Sequence, residues 1–264
     1  MKILGIESSS LVASVAVVTD DELTAEYTVN FKRTHSQTLL PMIDEIKTML
    51  GLELDTLDAI AVSGGPGSFT GLRIGSATAK GLGLALKKPL LHVPTLDAMA
   101  FNLYGVSALI CPLMDARRNQ VYTGLYHNAF RGIAGTAGFE VVKTQCAMDI
   151  RELLREINER GEPVIFLGDG VPVYEAVIRQ ETAVPFELAP AHVNRQRAAA
   201  VAVLGGRYLA AGQAETADEH APEYLRKAQA ERELEEAMRQ GKTAELAAGH
   251  SVGEGVTRES SGRL

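Results

Sequence analysis

The chain has 264 residues, is 46% hydrophobic and 22% charged, and carries a net charge of −7, a globular composition whose acidic balance argues against a protein that grips nucleic acid by itself through excess Lys and Arg. Its two cysteines, Cys111 and Cys146, lie far apart without CxxC spacing, which argues against a disulfide framework or a structural zinc site and fits a reducing cytoplasm. Glu7 interrupts the first apolar run too early for a signal peptide, and no stretch approaches the ~20 apolar residues of a membrane span, so a cytoplasmic protein is expected.

Apolar, β-rich runs at 2–7, 12–18 and 23–30 predict three strands separated by short turns. The segment 35–50 places Leu39, Ile43, Ile46 and Leu50 at helical spacing. A short strand at 57–63 enters the glycine-rich loop SGGPGSFTG, which feeds a helix at 69–86. A strand at 89–94 and a helix from Thr95 complete this half.

The second half repeats the order. Strands are expected at 108–116, 120–127 and near 139–144, then a helix at 148–160, a strand at 163–170, a helix from Pro172 and an Ala-rich helix at 195–211. A unit duplicated at this scale predicts two similar lobes facing one another across a cleft. The lobes are 1–105 and 106–225, both mixed α/β. Residues 226–240 read as a solvated, charged helix, with Arg232–Glu236 and Glu235–Arg239 at i,i+4 spacing. From Gly241 to Leu264 the Gly, Ser and Glu content predicts disorder.

The loop at 63–71 supports two readings. Backbone N–H groups at a glycine-rich turn before a helix can bind phosphate. The same glycines can simply serve a turn with unusual backbone angles, and the motif is no Walker A, because Lys80 lies deep in the helix. GIESSS (5–10) and LGDG (167–170) follow strands in equivalent places of the two halves. A nucleotide site would therefore draw on Glu7, Ser8, Ser9, Ser10, Gly64, Gly65, Gly67, Gly168 and Gly170, with Glu7 holding a hydrated metal ion. Ordinary turn chemistry is the alternative.

The helix after the loop has Gly71, Gly75, Ala79 and Gly83 four residues apart, on one face. Small residues let another backbone approach closely, and the preceding helix adds adaptable Met42 and Met49. Read as a partner interface, the set is Met42, Ile46, Met49, Gly71, Arg73, Gly75, Ala79 and Gly83. Packing within the chain is the competing reading. The interface reading expects Gly75→Leu or Ala79→Arg to abolish assembly while the subunit stays folded. No catalytic residues are assigned: there is no GxSxG elbow, no HExxH and no Cys/His cluster among the six histidines, so no metal site is expected.

ILGIESSS, THSQTLLPMID, AVSGGPGSFTGLRIGSATAKGLGLALKKPLLHVPTLDAMA, PLMDARRNQVYTGLY, LGDG and PEYLRKAQA together resemble the TsaB (YeaZ) family over about residues 1 to 240. The resemblance implies an actin-like (ASKHA) fold of two RNase H-like α/β lobes, mixed sheets flanked by helices. It implies a scaffold subunit for threonylcarbamoylation of the tRNA adenosine 3′ to the anticodon, at N6, in tRNAs reading ANN codons. The catalytic subunit in that scheme is TsaD, which uses threonylcarbamoyl-adenylate made by TsaC. The ATPase TsaE joins the pair, a homodimer forms when TsaD is absent, and contact with tRNA is indirect. No cofactor is required by this chain, and ATP or ADP belongs to the TsaD-containing complex. TsaD carries a His-x-x-x-His metal pair where this sequence aligns Thr95 and Met99, neither a replacement for imidazole. His35 and His92 are assigned local packing or capping. The resemblance also brings a link to metallopeptidases, against which the missing ligands argue. Two enzyme readings stand beside the scaffold: an actin-like ATPase or phosphotransferase around Glu7, Ser9, Gly65 and Gly168, and a peptidase acting on TsaD.

Overall fold

Short β-branched runs bounded by turn residues build the first sheet. Strands β1 (Lys2–Glu7), β2 (Val12–Thr19) and β3 (Glu22–Asn30) form an antiparallel meander. On the other side of β1, β4 (Ala59–Gly65) and β5 (Leu90–Pro94) run parallel to it, giving the order β3-β2-β1-β4-β5. The second sheet repeats this connectivity with β6 (Val106–Asp115), β7 (Gln120–Ala129), β8 (Gly138–Asp149), β9 (Val164–Leu167) and β10 (Phe186–Leu188), in the order β10-β9-β6-β7-β8. The computed structural model describes residues 1–31, 34–129 and 138–225; the charged helix expected at 226–240 and the tail beyond it lie outside the described residues.

Alternation along the strands assigns the faces. In the first sheet Leu4, Ile6, Val15, Val17, Ile60 and Val62 point to one side, where α1 (Leu39–Leu50) and α2 (Phe69–Leu86) cover them. Ile3, Ala59, Ala61, Leu91 and Val93 point to the other, against α6 (Ala198–Ala210). In the second sheet α4 (Ile150–Arg160) and α5 (Val171–Glu181) cover one side, and α3 (Thr95–Phe101) covers the other through Leu96, Met99 and Ala100. Each Val, Leu, Ile or Met side chain so buried stabilises the fold by about 1.5–3 kcal/mol.

The placement of α6 corrects the expected boundary of the lobes. It follows the second sheet in sequence but packs on β1, β2, β4 and β5 of the first. Its Ala and Gly content explains how: a Cβ on Gly5 would lie 3.0 Å from Cβ of Ala202, and one on Gly205 would lie 2.5 Å from Cβ of Ala61. Helix and sheet approach to backbone contact there, so larger residues have no room. Together with α3, which reaches both cores, α6 ties the lobes into a single unit, Met1–Leu225.

Candidate functional site

The ends of β1 and β4 meet where a phosphate cradle was expected, and the chain fills it with its own atoms. Gly65 adopts φ +118°, a conformation that favours glycine, and donates its N–H to Thr95 Oγ1 at 3.2 Å. The Ser68 N–H donates to the Ser9 carbonyl at 2.6 Å. Ser68 caps α2 by accepting the Gly71 N–H, and Ser8 Oγ donates to the Gly71 carbonyl at 2.9 Å. A Cβ on Gly67 would overlap Ser9, and one on Gly71 would overlap the Ser8 carbonyl. The space those glycines leave open thus holds the β1–β2 turn.

The expected nucleotide ligands are drawn inward as well. Glu7, Ser8 and Ser9 have no exposed surface, and Ser10, Gly64 and Gly65 are buried. Glu7 accepts the Ser9 N–H at 2.6 Å on Oε1, while Oε2 and the Ser9 hydroxyl have no partner. Burial pushes the Glu7 carboxyl up to about 7, against the opposing pull of its hydrogen bonds. At the matching end of β9, Gly168 (φ +107°) donates its N–H to the Asn194 carbonyl at 3.0 Å and accepts from Arg195 Nη1 at 2.8 Å. Gly170 donates to the Leu113 carbonyl at 2.9 Å. Between them Asp169 is raised to about 6 by burial. This corrects the nucleotide set: Glu7, Ser8, Ser9, Gly64, Gly65, Gly168 and Gly170 are committed to internal contacts in the described conformation. A cavity of about 300 Å³ between β1 and α6, lined by Met1, Ile3 and Gly206 among others, opens at the far end of β1 from Glu7.

The small-residue face of α2 is likewise internal. Gly71, Gly75, Ala79 and Gly83 are all buried. A Cβ on Gly75 would overlap Ser8 Oγ, and one on Gly83 would press Leu90 at 3.0 Å. Met42 and Ile46 belong to the same core. As a docking surface, this part of the expected set is therefore corrected: the sheet of the same chain covers it. Of the expected interface residues only Met49, 76% exposed, and Arg73 stand outside. What α2 does present is a second line, Arg73, Ala77, Gly81 and Leu84, all exposed and spaced to share the opposite face. Space around a Cβ on Gly81 is open, and Leu84 is 57% exposed.

Residues 213–225 form a strap across the ends of β5 and α2, which the sequence reading did not foresee. Glu215 and Leu90 exchange backbone hydrogen bonds at 2.9 Å, and Glu223 donates its N–H to the Gly64 carbonyl at 2.7 Å. Lys80 Nζ donates to the Asp218 and His220 carbonyls. Tyr224 packs against Phe69 with the rings tilted and their centroids 4.8 Å apart, and Arg73 lies over the Phe69 ring while bonding the Tyr224 hydroxyl. Gln145 of β8 donates to the Glu223 carboxylate at 3.1 Å. The strap also gathers Glu215 and His220 beside His92, where burial lowers the His220 pKa. His35 takes the expected packing role, its Nε2 against the Ser10 carbonyl at 2.8 Å. His92 packs as expected too, its ring framed by Gly64 and His220.

Two duplicated α/β halves with closed strand-end loops define a class: residues 23–234 match the family model described as TsaD, tRNA N6-adenosine threonylcarbamoyltransferase. Within it, the chain is 34% identical over 233 residues to the tRNA threonylcarbamoyladenosine biosynthesis protein TsaB of Bacillus subtilis, covering 88% of this chain and 96% of that one. It is 37% identical over 136 residues to the TsaB of Escherichia coli, half of this chain and 58% of that one. Among solved structures it is similar to YeaZ from Pseudomonas aeruginosa, with a TM-score of 0.68 and 25% identity over 85% of this chain and 99% of that chain. A second Pseudomonas aeruginosa structure, described as an uncharacterized protein with similarity to peptidase YEAZ, gives 0.72 and 26% over the same shares. The chain belongs to the TsaB (YeaZ) family of tRNA threonylcarbamoyladenosine biosynthesis proteins, with the two mixed sheets flanked by helices that the resemblance implied. Among the described residues no helix is long and apolar enough to cross a membrane.

Proposed function

We propose that this chain is a non-catalytic accessory subunit in threonylcarbamoylation of tRNA at the N6 of the adenosine 3′ to the anticodon, acting by binding a TsaD-type catalytic subunit that TsaE joins. One observation carries the reading. The two positions that the family resemblance sets against the His-x-x-x-His pair of TsaD are Thr95 and Met99, both fully buried in α3. Thr95 holds the Gly65 N–H, and Met99 fills the core of the second sheet. A folded chain so built has no room for that metal chemistry at this place.

The outer face of α2 supports the partner role. An exposed glycine inside a helix costs about 1 kcal/mol relative to alanine, and among the described residues nothing lies within 4 Å of a Cβ placed on Gly81. With Arg73, Ala77 and Leu84, and with exposed Met49 on α1, it forms a surface that another helix pair can approach closely. In the absence of the catalytic subunit, a second copy would use the same surface. Contact with tRNA is then left to the partner, in keeping with the charge of −7. An ATPase reading finds less support, because its ligands are turned inward.

Reconstituted modification of an ANN-reading tRNA tests the reading. The chain should be required alongside its cognate TsaD-type subunit, TsaE and threonylcarbamoyl-adenylate, and Glu7→Gln or Ser9→Ala should leave the rate within about twofold of wild type. A hundredfold drop in a variant that still folds and assembles would mean that the strand-end loops perform chemistry.

A further inference from the structure

The cluster between β5 and the strap is not explained by packing. His92, Glu215 and His220 each offer a ligand atom, and these atoms lie within 4.8 Å of one another. Glu215 Oε2 and His220 Nδ1 are 3.0 Å apart, close to the ~3.3 Å that separates neighbouring ligands of a tetrahedral ion with bonds of about 2.0–2.1 Å. The two imidazole centroids are 5.7 Å apart. His220 is 2% exposed and faces Glu215 through Nδ1, the nitrogen that an ion shared with that carboxylate would take. Gly64 gives His92 its place, since a Cβ there would overlap the ring.

We propose that His92, Glu215 and His220 bind a divalent transition-metal ion of the zinc type, which fastens the 213–225 strap to β5. Two imidazoles and one carboxylate suit zinc, whereas magnesium and calcium prefer oxygen ligands throughout. The ion replaces the proton shared by Glu215 and His220, and a water completes four-coordination. The widest ligand separation closes by on the order of 1 Å on binding. The mobile partners are the half-buried His92 ring and the Glu215 carboxylate, whose side chain is 39% exposed; His220 stays fixed. Lys80 places a positive charge on the backbone side of the strap, where it holds the Asp218 and His220 carbonyls. The Glu215 carboxylate offsets that charge on the side where the ion enters. The role is structural: a cross-link there holds the Glu223 N–H on the Gly64 carbonyl and keeps the glycine loop covered.

The test uses the full chain stripped with a chelator and titrated with Zn²⁺ in competition with a chromophoric chelator, then with Co²⁺ to read coordination from its visible spectrum. One Zn²⁺ should bind per chain, with a tetrahedral Co²⁺ spectrum. His92→Ala and Glu215→Gln should each weaken binding by at least about 10–100-fold, the range seen on removing even outer partners of a bound metal. His192→Ala, at an exposed histidine outside the cluster, should bind as wild type. Circular dichroism of the metal-free proteins checks folding, and the half-exposed Glu215 keeps the test readable if His92→Ala misfolds. Wild-type binding no tighter than that of Glu215→Gln, or loss of tight binding only in His192→Ala, overturns the proposal.

Discussion

Along the inner face of α2, Gly71, Gly75, Ala79 and Gly83 meet Ser8, Val62, Leu90 and Ala217; along the outer face, Ala77, Gly81 and Leu84 stand exposed, with Arg73 leaning on Phe69 and Tyr224 at one end. Both faces carry small residues at near-identical spacing. On the inner face their size is accounted for atom by atom, because the helix lies against the β1–β2 turn and β5. On the outer face nothing among the described residues accounts for Gly81. Small residues therefore mean close approach on both sides, to the chain's own sheet on one and, on our proposal, to a partner on the other.

Substitutions that enlarge each face in turn should break the symmetry. The largest effects on folding are expected on the inner face, where the Cβ of Gly71→Ala overlaps a backbone carbonyl. Relief requires backbone movement, so thermal or urea unfolding should show a loss of about 1–3 kcal/mol. Gly75→Leu, which the sequence reading expected to spare the fold, should destabilise at least as much, because its first carbon already meets buried Ser8. A destabilised protein that fails to assemble would then say nothing about docking.

Glu7, at the foot of the inner face, should give an effect of similar size that depends on pH. Its folded pKa of about 7 lies above the ordinary value of 4.5, so the folded state holds a proton that the unfolded state releases. The resulting stability is fully present below pH ~4.5 and is lost as pH rises to ~7, by on the order of 3 kcal/mol. Glu7→Gln should flatten that slope, measured as urea midpoints at pH 5 and pH 8. An unchanged slope would show that Glu7 is ionised in the folded protein. The smallest effect belongs to the outer face: Gly81→Ala, with open space around its Cβ, should stabilise the isolated chain by about 0.4–1 kcal/mol while narrowing the surface offered to a partner.

Much of this was legible in the sequence, and particular residues show where legibility stopped. Phe69–Leu86 was read with both of its ends, because Ser68 caps one end and the apolar strand at Leu90 follows the other. The strand Phe186–Leu188 was missed, since three residues are too few to display a period of two. Periodicity assigned Gly71, Gly75, Ala79 and Gly83 to one face but could not say where that face points. Glycine contributes little to a hydrophobic pattern, and the answer lay in Ser8, far away in the chain. The crossing of α6 depended in the same way on Gly5 and Ala61. The site suffered most. GIESSS and SGGPGSFTG have the composition of a ligand cradle, and only in the folded chain does one fill the other. His92, Glu215 and His220 match no metal motif because their proximity comes from the strap, through backbone pairing of Leu90 with Glu215.

The most direct test of the central claim is light scattering after size exclusion on Gly81→Arg, with and without the cognate TsaD-type subunit. The arginine points into open space, so the variant should keep wild-type circular dichroism and melting temperature. The account predicts that it no longer forms the heterodimer that wild type forms under the same conditions. A Gly81→Arg chain that assembles as readily as wild type would contradict it and leave the outer face of α2 without a role.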